Sequence, residues 1–141
     1  MKLTYELGKA GWEDELKRAF QEQDKDVVTG WADEYGQTLL IVACRDKPSP
    51  SSASLLLGND ADPNIRDNWN KTALHHCGGW GTTAKHMAIA RDLVNHGADL
   101  HAKDDCGGRT PLTVARINGH TEMVKLLEEL AAAPPAAAQH A

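Results

Sequence analysis

At 141 residues, 41% apolar and 25% charged, the chain has the composition of one folded domain and not of a disordered one. A formal charge of −5 with no basic stripe argues against nucleic acid as a partner, because phosphate contact needs clustered Lys and Arg. The longest unbroken apolar run, Leu39 to Cys44, is far below the roughly 20 residues of a membrane-crossing helix, so no membrane partner is expected.

The N-terminus, MKLTYELGKAGWEDEL, has neither the apolar stretch of a secretory signal nor the Arg-rich, acid-poor pattern of a transit peptide. Three cysteines without a CxxC pair, Cys44, Cys77 and Cys106, suit reduced thiols, so the expected location is cytoplasmic or nuclear. Residues 3–23 read as two helical halves around Gly11, with Leu16, Ala19 and Phe20 on one face of the second. The acids Glu13, Asp14 and Glu15 favour a helix N-terminus over an acid/base pair.

A register then begins. Gly36-Gln37-Thr38-Leu39-Leu40 has counterparts at Asn70-Lys71-Thr72-Ala73-Leu74 and Gly108-Arg109-Thr110-Pro111-Leu112, with the threonines 34 and 38 residues apart. An Asp lies five residues before each Thr (Asp33, Asp67, Asp105), and compact Ala43, Cys77 and Ala115 lie five after. Periods in the thirties mark stacked repeats.

In the first copy, Pro48 and Pro50 fall between the helices and predict a shortened or displaced second helix. Asp60 stands where Gly97 stands in the next copy, at a left-handed position that disfavours Asp by roughly 1 kcal/mol relative to Gly. The second copy places Ile89, Leu93 and Val94 on one helical face and ends at Gly97. About four surplus residues near Thr82 to Lys85 predict an enlarged loop, and a further surplus residue falls at Asp104-Asp105. In the third copy Thr110 is an N-cap with Pro111 at the first helical position. After Asn118-Gly119, a second helix carries Met123, Val124, Leu126, Leu127 and Leu130 at spacings of three and four. The Ala/Pro tail, 131–141, is expected to be disordered.

These residues resemble the ankyrin repeat, in GRTPLTVARINGHTEMVKLLEEL, TALHHCGGWG with LVNHGADLHAKD, and GQTLLIVAC with LLLGNDADPNIRD. The resemblance covers about residues 33–130. It implies an all-α ankyrin-repeat solenoid of stacked helix-turn-helix units with short hairpin-like turns. The domain would run over 1–130, as a cap repeat at about 1–32 and repeats at about 33–66, 67–104 and 105–130. A helix hairpin of this length exposes one apolar side, and stacking buries it.

His75, His76 and Cys77 invite a metal or catalytic reading. Consecutive helical residues point about 100° apart, however, and no usual zinc spacing is present. The resemblance gives His75 a structural role between turns and Cys77 a packing role. No nucleophile signature and no phosphate-binding glycine pattern occurs, so neither an enzyme nor a cofactor is expected.

The resemblance further implies a non-catalytic interaction module that binds another protein through a concave face made of turn tips and first-helix ends. The candidate contact residues are Trp31, Tyr35, Trp69, Lys71 and Arg109 at or beside the tips, with Arg45, Trp80 and Asn118 at the helix ends. The acidic balance points to a partner with a basic patch. The chain would act as a monomer or as a subunit of a hetero-complex. A permanent structural subunit is the alternative, docked through the Thr82 to Lys85 loop or the tail.

Overall fold

A computed structural model describes residues 12–45, 48–81 and 83–132. In chain order the helices are α1 (Trp12–Glu22), α2 (Lys25–Gly30), α3 (Leu39–Ala43), α4 (Pro50–Gly58), α5 (Ala73–Trp80), α6 (Ala84–Asn95), α7 (Pro111–Ile117) and α8 (Thr121–Ala132). Among the described residues no strand forms; the one pairing of that kind is an isolated bridge between Ala32 and Thr38.

The three register threonines are helix starts. Thr38 Oγ1 accepts from the Ile41 amide and Thr110 Oγ1 from the Thr113 amide, while the Thr72 amide donates to Nδ1 of His75 at 3.1 Å. Each such bond satisfies a backbone donor that the first turn leaves without a partner.

The hairpins α3–α4, α5–α6 and α7–α8 stack in two layers. First helices pack on one another as α3–α5–α7, and second helices as α4–α6–α8, with α1 against α4 and α2 against α3. One continuous core results, with Leu39, Leu56, Leu74, Ile89, Leu93 and Leu127 at 1% exposure or less. Leu16, Ala19 and Val28 extend it into α1 and α2. The first of the two predicted N-terminal helical halves lies outside the described residues. The short α2 was not legible as a separate helix in the sequence.

Backbones come closest where side chains are smallest. A Cβ on Gly78 would sit 2.7 Å from the Pro111 carbonyl oxygen, so glycine is what lets α5 approach α7. Cys77, next to Gly78, and Ala115, one turn beyond Pro111, are fully buried.

Pro50 starts α4 instead of breaking it. Ser49 caps the helix by accepting from the Ser52 amide, and α4 has nine residues against twelve in α6, as the prolines predict. Asp60 has φ 67° and Gly97 φ 93°, which puts both in the left-handed region at equivalent helix ends.

Two expectations need correction. The described residues of the Thr82 to Lys85 stretch form no enlarged loop: Thr83 caps α6 by accepting from the His86 amide, and Ala84 and Lys85 are its first residues. Most of the extra length is a longer second helix. In the third turn it is Asp104, not Asp105, that takes the place of Asp33 and Asp67. Asp105 is exposed.

Candidate binding groove on the turn tips

Each turn is organised by one carboxylate. Asp33 Oδ1 accepts from the amides of Tyr35 and Gln37, Asp67 Oδ1 from those of Trp69 and Lys71, and Asp104 Oδ1 from those of Cys106 and Arg109, all at 2.9–3.0 Å. Equivalent residues therefore line up across the stack. Tyr35, Trp69 and Cys106 form a row at the tips, and Gln37, Lys71 and Arg109 form a second row immediately before the three capping threonines.

Backbone bonds lock the rows together. The Asn68 amide donates to the Tyr35 carbonyl at 2.9 Å, and the Asp105 amide donates to the Trp69 carbonyl at 3.0 Å. The Asn68 side chain adds a bond to the Glu34 carbonyl. Tyr35 and Trp69 consequently stack, with ring centroids 6.0 Å apart and planes inclined by 25°.

Behind the tips lies an open groove of about 530 Å³. Five of its lining residues, Trp69, Lys71, Trp80, Arg109 and Asn118, are among those the sequence nominated. Gln37, which the register places at a tip, lines it too, as do His76, Cys106 and Val114, which sequence reasoning did not nominate as contacts. Counting from Asp104 instead of Asp105 would have found Cys106 as the counterpart of Tyr35 and Trp69.

The other nominated residues lie around it. Tyr35 is half exposed and stacks on Trp69 at the groove's rim. Arg45 bonds through Nη1 to Gln37 Oε1 at 2.9 Å, which brings its guanidinium to the groove's edge. Trp31, nominated as a contact, is half-buried, packs on the core and is not among the lining residues.

The charge of the groove is opposite to that of the chain. Its cationic lining consists of half-buried Lys71 and exposed Arg109, neither with a carboxylate partner among the described residues, whereas Lys25, Arg18 and Arg116 are paired with Asp60, Glu15 and Glu128. The net charge of −5 therefore does not describe this surface.

His75, His76 and Cys77 diverge, as the helical spacing requires. His75 accepts the Thr72 amide at Nδ1, so its proton is on Nε2, which donates to the Arg109 carbonyl at 2.8 Å. Burial pushes its pKa down, against the opposing pull of that carbonyl and of Asp104. His76 instead donates from Nε2 to Asp67 Oδ2 at 2.9 Å. Burial alone would raise the Asp67 carboxyl, but bonds from His76, Lys71 and Trp69 outweigh it and hold it below the usual carboxylate range. Cys77 is fully buried beside Cys44, whose thiol is pushed well up by burial and then by Cys77. Among the described residues no group of three His, Cys, Asp or Glu is placed to hold a metal ion.

Two more histidines tie successive units. His86 Nε2 donates to the Arg45 carbonyl at 2.8 Å while its Nδ1 takes the Thr83 hydroxyl, and His120 Nδ1 donates to the Gly78 carbonyl at 2.9 Å. Both bonds satisfy carbonyls at the end of the preceding first helix.

Helix hairpins stacked in two layers, joined by Asp-organised turns whose tips line a groove, define a repeat solenoid built for protein contact. The chain belongs to the ankyrin repeat family: the model for ankyrin repeats matches three copies over residues 40–135. Ankyrin repeats are protein-interaction modules, and the family is generally non-catalytic.

The chain is similar to an Arabidopsis thaliana protein described as the E3 ubiquitin-protein ligase XBAT35, at 35% identity over 70% of this chain and 21% of that one. It is 46% identical to the potassium channel AKT3 of Oryza sativa subsp. japonica, over 33% of this chain and 6% of the channel. An ankyrin repeat protein of Rickettsia bellii is 29% identical over 87% of this chain and 66% of its own length. The chain thus spans a minor part of the two plant proteins. No helix among the described residues is long and apolar enough to cross a membrane.

Proposed function

We propose that the protein is a non-catalytic adaptor or regulator that binds a partner protein through the groove between its turn tips and first-helix ends, the concave face of the stack. The observation that carries this reading is the placement of Trp69 and Trp80, each 44% exposed and both facing the same groove. Rings of this size left 44% exposed keep apolar area available to a partner. On a partner they supply the wide, rigid contact area typical of interface anchors, and truncating one can cost about 2 kcal/mol or more of binding. Lys71, Arg109 and Asn118 provide polar contacts around them.

The alternative of a permanent structural subunit loses one docking element, since Thr83, Ala84 and Lys85 cap and begin α6. Of the tail offered as the other, 131–141, Ala131 and Ala132 continue α8 and are not disordered, and the remainder lies outside the described residues.

A pulldown from native lysate tests the reading, comparing wild type with a Trp69→Ala, Trp80→Ala double variant that keeps its helical circular dichroism and melting temperature. The expected result is a partner recovered by wild type and lost by the folded variant. A partner retained equally by both would move the site off the groove.

A further inference from the structure

The groove and its edge carry one cation for each of three successive units: Lys71 and Arg109 in the lining and Arg45 bonded to the lining residue Gln37. Lys71 and Arg109 occupy the same place in their turns, directly before the capping threonine. In the first unit that place holds Gln37, yet a cation is present there too, because Arg45 reaches back and rests its guanidinium on Gln37 Oε1. Three positive groups therefore follow the axis of the stack. No exposed carboxylate lines the groove: Asp67 is buried beneath His76, and Glu34 and Asp105 are not among the lining residues.

Packed first helices are separated by about 8–10 Å, while an extended peptide advances about 3.3 Å per residue. One unit of the stack thus matches about three residues of extended chain.

We infer that the groove takes an extended acidic segment of its protein partner, with carboxylates about three residues apart facing Arg45, Lys71 and Arg109 and an apolar side chain between Trp69 and Trp80. This rests on the reading of the groove as the partner site and adds the chemistry and spacing of what enters it. It reverses the expectation of a basic partner, which follows only from the net charge of the chain.

The test uses a random dodecapeptide library displayed on phage, selected on the 141-residue chain and depleted on the folded Trp69→Ala, Trp80→Ala variant. Recovered peptides are then measured by fluorescence anisotropy against wild type, Lys71→Glu and Arg109→Glu, with Lys71→Gln and Arg109→Gln as milder variants if a reversal perturbs folding. The lysine and arginine heads make no hydrogen bond among the described residues, so the melting temperature should survive these changes.

Peptides with acids three residues apart flanking an apolar residue, weakened roughly tenfold by either charge reversal and weakened further by added salt, are the expected result. Groove-dependent peptides that are neutral or basic, or indifferent to charge reversal, would overturn the acidic assignment and leave the groove as the partner site. Failure to recover any peptide that distinguishes wild type from the double tryptophan variant would remove both.

Discussion

Asp67 and Asp104 hold successive turns by the same pair of amide bonds, but only Asp67 has its second oxygen satisfied. His76 donates to Asp67 Oδ2, whereas the corresponding residue after Thr110 is Val114, and Asp104 Oδ2 is buried with no partner among the described residues. The Asn substitution should therefore act differently at the two sites. Asp67→Asn deprives His76 of its carboxylate partner and the turn amides of a charged acceptor, and should destabilise by about 1–3 kcal/mol. Asp104→Asn exchanges an unpartnered charged oxygen for an unpartnered neutral amide and should be milder. Urea denaturation of the two variants checks the order, and equal losses would contradict it.

The glycine pair Gly78-Gly79 offers a test with opposite signs. Alanine favours a helix over glycine by about 1 kcal/mol. At Gly79 the added methyl meets only Val114 Cγ1 at 3.5 Å, so Gly79→Ala should stabilise. At Gly78 it meets the Pro111 carbonyl at 2.7 Å, and Gly78→Ala should destabilise in spite of the same propensity gain. A rise in melting temperature for both variants would show that α5 and α7 can separate freely, and a fall for both would remove the gain expected at Gly79.

His75 and His86 both have pKa values lowered by burial from near 6.5. The unfolded chain then binds more protons than the folded one below that pH, so stability rises with pH through this window. Their contribution is complete above about pH 6.5, declines as the pH falls toward the lowered folded values and levels off beneath them. Asp67, lowered from 3.8, adds a second loss at more acidic pH, again in the destabilising direction. Thermal melts between neutral and acidic pH should show an early decline that is shallower in His86→Asn, although that variant is less stable at neutral pH. An unchanged slope would remove His86 from the account.

The thiols should divide by burial. Cys44 and Cys77 are fully buried and Cys106 is exposed in the groove. A chromogenic thiol reagent should therefore titrate one cysteine in the native protein and the other two only on unfolding. Labelling Cys106 with a bulky maleimide should also block partner capture without lowering the melting temperature.

The sequence by itself determined what obeys local rules. Thr38, Thr72 and Thr110 mark helix starts because a capping oxygen needs only the next turn, and Asp60 and Gly97 mark helix ends because a left-handed residue is a property of one φ angle. Periodicity located the faces of α6 and α8 and, through the ankyrin resemblance, the stack and its exposed tips. It also established unit length, but not which element absorbs added residues. Thr83 and His86 held the signal for an early start of α6, yet that start is settled by a histidine whose partner is the Arg45 carbonyl, 41 residues away.

Tertiary structure likewise decided that Trp31 packs on the core, that Asp104 and not its neighbour organises the third turn, and that Arg45 bonds to Gln37 at the edge of the groove that Lys71 and Arg109 line. Charge and shape at a surface depend on which residues stacking brings side by side. Composition sums charges over the whole chain, and only the fold distributes them.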